Sequence, residues 1–495
     1  MAVDENPIEK LAYVSNKAAE AIYSSDDGID AATIQPVDPN FETRVLRKID
    51  RWLVGFYSIV YVFRVIDSAN YSNAAIINLE NGTGIKKQLG FTPEQWAWTL
   101  SIFSWGYMVF EPSNTLLLKL FKPSRWMFIL ILAWGISACA SASVQGFRGM
   151  MGVRFAIGAA EAGFYPAVLY HWSFWYKPSD LPRRMALFYS VGQLSSALSG
   201  LLAFAISYMD GLGRIAGWRW LFLIEGLPAI LLSFVAFGLP DYPETAKFLT
   251  NEEREFLSHR LAKTAPKGSP GHWDWASLLQ LFKDPTFYTF TVYWICHGIG
   301  GFGVNFALPT VVYQLGFTTT TKSQLMNIPP YVSCFLFLNT VGYLISKGKI
   351  RPWVAAASSK YKLTCTKIKA NGGPVESTII VCYIILVAVN NPVVRYLALI
   401  VAVSCAGSAY PVIWPERIRA LEGTVAAGIG IGFTNACAQW SGIVGPHVYS
   451  TIYGPRYRTS YAVCLSVLVV GISSILTTWH LIRRRDQKRA ASVDT

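Results

Sequence analysis

Along the chain, runs of about 20 apolar residues alternate with short polar segments, and each run is long enough to cross a hydrocarbon core about 30 Å thick. The runs predict helices over 52–74, 96–120, 126–144, 149–172, 184–207 and 218–238. A second series follows over 287–313, 323–346, 378–389, 393–413, 424–449 and 461–482, its third member short. Residues 240–285 turn polar and separate six runs from six. Within them, Thr250-Asn251-Glu252-Glu253 reads as a capping box, with Thr250 as N-cap and Glu253 at N3, ahead of a short surface helix to about Lys263. Pro266, Gly268, Pro270 and Gly271 then break the chain. The expected fold class is an all-α membrane protein of twelve transmembrane helices in two pseudo-symmetric six-helix halves.

Composition agrees. Of 495 residues, 52% are hydrophobic and 15% charged, against about 25% charged in soluble domains. The net charge of +13 suggests nucleic acid only if position is ignored. Lys119, Lys122 and Arg125, then Lys177, Arg183 and Arg184, then Lys347, Lys349 and Arg351, then Arg417 and Arg419 all fall in alternate loops. The positive-inside bias makes those loops, and both termini, cytoplasmic. Arg456 and Arg458 are exceptions on the other side. The expected organisation is a disordered cytoplasmic tail over 1–48, a six-helix half over 49–239, a cytoplasmic linker over 240–285, a second half over 286–482 and a short tail over 483–495. The first 50 residues hold no short apolar core, so no cleaved signal is expected. None of the eight cysteines forms a C-x-x-C, and most lie inside spans as core thiols. No P-loop and no metal-ligand spacing occur, so neither ATP drive, a metal, a cofactor nor enzyme chemistry is expected.

Charges inside the apolar runs carry the functional signal, because each costs roughly 2.5–3.5 kcal/mol at a helix centre on insertion scales. Arg64 and Asp67 lie one turn apart in the first run, and Arg154 and Glu161 lie in the fourth beside the small residues Gly158, Ala159, Ala160, Ala162 and Gly163. At 1.5 Å per residue, Asp67 and Arg154 fall at one depth, Arg64 about a turn deeper and Glu161 near the midplane. Two acids and two bases make a near-neutral cluster. A substrate carboxylate would add one negative charge, and a proton on Glu161 or Asp67 would cancel it. A permanent ion-pair lattice is the competing reading.

His297, among Gly298, Gly300, Gly301 and Gly303, is a proton or substrate group, or a hydrogen-bonded packing histidine. Asn305, Asn435 and Gln439 either bind substrate or join helices. Trp105 and Trp294, mid-run, are cavity candidates. Glu111 and Glu225 lie near loop ends and, with Arg125, Arg183, Arg184 and Arg417, are expected to brace the gate. His171 is expected at the membrane interface.

An internal echo links the halves: Arg154 leads to A-G-F-Y-P, Arg395 to A-G-S-A-Y-P. The segments R-F-A-I-G-A-A-E-A-G-F-Y-P, G-W-R-W-L-F-L-I-E-G-L-P, L-P-D-Y-P-E-T-A-K-F-L-T-N-E-E-R, E-P-S-N and P-S-R-W resemble the anion:cation symporter branch of the major facilitator superfamily, over about residues 45–485. Its fungal members include allantoate, nicotinate and pantothenate permeases. The resemblance implies proton-coupled uptake of a small organic carboxylate by alternating access, in a monomeric plasma-membrane protein whose partners are that anion, a proton and the lipid bilayer, with no nucleic acid. The chain departs from the family at 67–74, D-S-A-N-Y-S-N-A, where Ser68 replaces the family's Arg. It departs again at 352–375, an atypical polar insertion that is either a cytoplasmic loop or translated intron sequence. Export of an acidic metabolite, a nutrient sensor on the same fold, a channel and a membrane enzyme remain as other classes.

The charge asymmetry makes a topological prediction. A cysteine introduced within residues 80–88 should react with an impermeant reagent on intact cells. Reaction only after permeabilisation would reverse the orientation.

Overall fold

The structure, a computed structural model, describes residues 39–117, 121–177, 180–261, 279, 281–316, 320–346, 375–420 and 433–493. Of the disordered tail expected over 1–48, residues 1–38 lie outside the described residues, as do the Pro/Gly break after the linker helix and nearly all of the insertion, while residues 39–48 are helical and not disordered. By contacts the chain divides into residues 1–49 and 50–495. In the first unit, residues 39–49 are helical and the Arg44 guanidinium lies 5.9 Å from the Phe41 ring centroid.

The described residues hold no strand. Helices stand at all twelve predicted runs. The first series is α1 (Pro39–Ala74), α2 (Pro93–Leu117), α3 (Pro123–Ser141), α4 (Phe147–Glu161) with α5 (Phe164–Ser173), α6 (Leu181–Ser207) and α7 (Gly217–Phe237). A short helix, α8 (Asn251–Leu261), follows. The second series is α9 (Pro285–His297) with α10 (Leu308–Gln314), α11 (Ile328–Ser346), α12 (Val375–Ala388), α13 (Pro392–Ala420), α14 (Trp440–Val448) and α15 (Arg458–Val493). Among the described residues five helices are long and apolar enough to cross a membrane, and the α9–α10 pair, bent by 51°, makes a sixth.

Local chemistry sets the ends. Thr250 N–H donates to Glu253 Oε2 at 2.8 Å and Glu253 N–H to Thr250 Oγ1 at 3.2 Å, the reciprocal capping box expected for α8. Thr92 and Gln95 make a second such box before α2, at 3.1 Å each way.

The fourth and seventh runs differ from the unbroken helices predicted. The fourth breaks at 162–163, because Pro166 has no N–H to give the Ala162 carbonyl and its ring crowds it. Asn114 from α2 enters the break, donating to the Ala159 carbonyl at 3.0 Å. The seventh run passes from α9 into a π-helical turn over Gly298–Phe302 and a 3₁₀ turn over Gly303–Phe306 before Pro309 restarts the helix.

Glycines set the closest helix contacts. A Cβ on Gly158 would drive into the Phe103 carbonyl oxygen, and one on Gly106 into that of Phe155, so α2 and α4 touch backbone to backbone. Gly226 brings α7 against α3, where an added Cβ would lie 2.5 Å from Cys139 Sγ.

His171, expected at the membrane interface, is fully buried against the end of α7. Its Nε2 lies 2.9 Å from the Pro240 carbonyl and its Nδ1 2.6 Å from the Tyr57 hydroxyl. A carbonyl only accepts, so Nε2 carries the hydrogen and Nδ1 accepts from Tyr57. The ring thus pins α1 and α5 to the end of α7.

The two series meet along α2 and the helical residues 433–448, running in opposite directions. Trp98 lies 4.9 Å from His447, Ser101 donates to the Ile443 carbonyl at 2.8 Å, and Trp105 lies 6.1 Å from Trp440. Gln324 donates to the Asn73 carbonyl at 3.2 Å. At that end, Trp96, Ala97 and Leu100 face Ala307, Thr310 and Pro446 across a cavity of only ≈ 20 Å³.

At the opposite end, Arg184 grips Asp50 with Nε at 2.6 Å and a second nitrogen at 3.0 Å, while its guanidinium lies 4.1 Å from the Tyr176 ring. Beside it, Arg260 of α8 donates to Asp180 Oδ2 at 2.8 Å. Burial pushes the Asp180 carboxyl up, but the Arg260 bond and charge, the Lys177 N–H and Arg184 together hold it below the ordinary aspartate range.

Two outcomes follow from this packing. Gly158→Val should destabilise the purified protein by the roughly 1–3 kcal/mol typical of overpacking, read as a lower thermal midpoint; an unchanged midpoint would mean the helices can part freely. For α8 the sign is set by a depressed carboxyl. Its contact is fully present above the ordinary aspartate pKa of about 3.9 and is lost as pH falls through the lower folded value. Amide exchange over 251–261 should therefore quicken in Asp180→Asn at neutral pH, and in the parent only under strong acid. Equal exchange in both at neutral pH would show that Asp180 does not hold the helix.

Candidate functional site

Four of the predicted charges come together where α1 crosses α4. Arg64 and Asp67 are one turn apart on α1, and the break after Glu161 turns the end of α4 toward them. Arg64 Nε lies 2.9 Å from Glu161 Oε2. The angle is poor for a hydrogen bond, and neither Glu161 oxygen accepts from an N–H or O–H donor among the described residues, while the Asp67 carboxyl lies within hydrogen-bonding reach of the Glu161 carboxyl. The contact is thus an ion pair held by charge. The Arg64 side chain keeps 18% of its surface exposed while that of Glu161 keeps none. Tyr61 and Tyr107 flank the guanidinium, 6.0 and 5.8 Å from ring centroid to Cζ.

Arg154 behaves differently from the Asp67 partner that the depth arithmetic suggested. It is buried, lies 4.0 Å from the Tyr71 ring and 4.9 Å from Phe103, and its Nε points at the Thr99 carbonyl 3.4 Å away. Asp67 and Glu161 act on it through the field, without a direct salt bridge. Asp67 instead accepts from Trp134 Nε1 of α3 at 3.0 Å. Trp134 carried no signal in the sequence beyond being one of many tryptophans.

Glu225 also requires correction. It is not near a loop end but inside α7, 2% exposed, with no hydrogen-bond partner for either oxygen and within electrostatic reach of Asp67. Its helix begins at Gly217, eight residues earlier, so the acid lies two turns deep. The cluster is therefore three acids against two guanidinium groups.

Glu111, expected near a loop end, also lies inside its helix, α2, 4% exposed. Its Oε1 accepts from Asn435 Nδ2 at 2.6 Å, so a predicted brace and a predicted binding residue join the two series. Trp105 is half-buried against Trp440, and Gln439 is half-buried at the start of α14. Asn305 lies in the 3₁₀ turn of the seventh run with its buried Oδ1 unpartnered. Trp294 is 5% exposed in an apolar core, stacked on Phe290 and 5.5 Å from the His297 ring. Arg125 is exposed. The side chains of Arg183 and Arg417 lie outside the described residues. Arg395, the echo of Arg154, sits at the start of α13 and donates to the Arg456 carbonyl at 3.1 Å, so the echo does not extend to the side-chain environment.

His297 has a partner that the sequence reading missed. Its Nδ1 lies 2.6 Å from Glu376 Oε1, which also accepts from the Tyr293 hydroxyl at 3.0 Å. Both members of the pair are 1% exposed. Glu376 is one residue past the polar insertion and read as loop, whereas it belongs to the first turn of α12. Among the described residues no cluster of His, Cys, Asp and Glu could hold a metal ion.

The arrangement has charged groups inside apolar helices, two bent or broken helices, and a seam between two series. Comparison with known proteins fits it. A high-affinity nicotinic acid transporter of Saccharomyces cerevisiae is 26% identical over 494 residues, covering 98% of this chain and 85% of the relative. A putative tartrate transporter of Agrobacterium vitis is 28% identical over 461 residues, 93% of this chain and 95% of the relative. A bacterial homologue of the human lysosomal transporter Spinster, solved inward-facing and unoccupied, superposes with a TM-score of 0.64 at 12% identity over 90% of this chain and 98% of its own, a likeness of fold. The Major Facilitator Superfamily family model matches residues 58–446, and the chain belongs to that superfamily of membrane transporters.

Proposed function

We propose that the protein is a proton-coupled carrier of a small organic carboxylate, taking up a nicotinate-, pantothenate- or allantoate-type anion across the plasma membrane by alternating access of two six-helix halves, with both termini cytoplasmic. The Arg64–Glu161 ion pair carries this reading. Arg64 is the partly exposed guanidinium of the cluster, and its fork suits a carboxylate. In the resting geometry Glu161 occupies it. A proton on Glu161 removes that claim and frees Arg64 for the substrate carboxylate, so proton and anion bind together. Charge counting supports the same coupling. Asp67 and Glu161 balance Arg64 and Arg154, Glu225 with no donor on either oxygen counts as neutral, and a proton on Glu161 or Asp67 offsets the charge of an entering anion. Arg154, held between rings without a carboxylate partner, contributes positive potential to the same space.

The relatives named for nicotinic acid and tartrate transport favour a carboxylate, and the anion:cation branch fits both. Asn435 with Glu111 is assigned to the gate in this scheme, and Asn305, Gln439 and Trp105 to the substrate path.

The test uses purified protein in proteoliposomes with radiolabelled nicotinate. Glu161→Gln mimics the protonated acid, so exchange of nicotinate should survive while accumulation driven by a pH gradient is lost. Arg64→Lys should raise the apparent KM roughly tenfold, about one charge-assisted hydrogen bond. Proton-driven accumulation persisting in Glu161→Gln would move the proton to another group.

A further inference from the structure

The buried pair in the second helical series has a proton inventory that its geometry fixes. His297 Nε2 faces the Ala406 carbonyl at 3.2 Å, and a carbonyl only accepts, so Nε2 bears a hydrogen. A neutral ring would then present the bare Nδ1 lone pair to Glu376 Oε1 at 2.6 Å, where Tyr293 already donates. Two acceptors do not sit that close. One proton therefore lies between them, as imidazolium with carboxylate or as neutral imidazole with carboxylic acid. Loss of it would send one proton to water and leave a buried carboxylate with Tyr293 as its remaining donor, since Oε2 has no partner. No Lys or Arg among the described residues pairs with Glu376. The other titratable groups nearby are Tyr293 and Cys296 on α9, Cys382 and Tyr383 on α12, Cys405 on α13, Tyr449 beside α14, and Cys464 and Tyr461 on α15, with Arg395 beyond Tyr461.

The pair abuts the irregular part of the seventh run. The His297 ring rests on Gly301, where a Cβ would lie 3.2 Å from its Cε1. The π turn leaves carbonyls outside the α-helical ladder: Tyr383 donates to that of Gly300 at 2.5 Å and Cys464 to that of Ile299 at 3.7 Å. Gly298 packs against Ser441, where a Cβ would lie 2.7 Å away, so any shift of the turn presses on the helix that meets α2.

We propose that His297 and Glu376 form a second proton-binding site, in the C-terminal helices, whose proton holds the Gly298–Phe306 segment in its bent form. Deprotonation breaks the 2.6 Å contact, releases the ring from Gly301 and loosens the turn. The inference rests on the carrier reading for its purpose but not for its test.

Amide exchange over residues 298–306 is measured against pH on the full-length protein in lipid nanodiscs without substrate, after correction for the intrinsic tenfold rise per pH unit. The parent should show a single further step of about tenfold or more at one pH. Glu376→Gln and His297→Gln should both abolish the step, and Glu161→Gln should keep it. A parent without a step, or a step that survives in either variant, overturns the proposal. Glu376→Gln keeps the size of the group and the Tyr293 bond; should it fail to fold, His297→Gln and the parent curve still decide. Failure to transport nicotinate, pantothenate and allantoate alike would refute the proposed function and leave this measurement untouched.

Discussion

A charge in a membrane helix has to find its counter-charge inside the protein, and that constraint shapes the N-terminal helices. Arg64 and Glu161 satisfy each other at 2.9 Å, which requires α1 and α4 to lie close at that level. Helix α4 is in turn set against α2, where Gly158 and Gly106 let the two backbones touch. The break after Glu161, imposed by Pro166, supplies the last part, because it ends α4 at the acid and lets Asn114 take up a freed carbonyl. Charge, small residues and a proline thus act as one device.

Much of this was legible in the sequence. Ionisable residues in apolar runs stand out against their surroundings, and helix rise alone placed Arg64, Asp67, Arg154 and Glu161 within two turns of one another. The capping box at Thr250 was legible because its partners are three residues apart. Glu225 was misplaced although its run, expected over 218–238, was read to within one residue of Gly217–Phe237, which already puts the acid two turns in. The rotation of one helix about another is not encoded in periodicity at all when helices are apolar on every side. That is why Trp134 as the donor to Asp67, and the aromatic sandwich around Arg154, had no visible signal. Glu376 was lost to its neighbourhood: one residue from a polar stretch, it read as more of the same.

The two breaks, where unbroken helices were expected, have a related origin. Pro166 and the four glycines after His297 were visible, yet the runs were read as unbroken because hydrophobicity continues through them. In a membrane a break survives where side chains replace the lost backbone bonds. Asn114 does this in the fourth run, and Tyr383 and Cys464 in the seventh. The partners come from other helices, so a break is a tertiary property.

Two buried acid–base systems on separate helical series each bear on one side of the same seam. The N-terminal cluster bears on α2 through Gly158 and Thr99, and the His297–Glu376 pair bears on α14 through Gly298 and Ser441. Helix α2 and residues 433–448 meet from Trp98 and His447 at one end to Glu111 and Asn435 at the other. Most of that seam is aromatic and aliphatic, which tolerates sliding. Its end at Glu111 is a directional hydrogen bond of 2.6 Å from Asn435, which does not. Under the proposed function, a displacement at either buried site would reach a contact with two discrete states, made or broken, the form of element through which coupling between distant sites is carried.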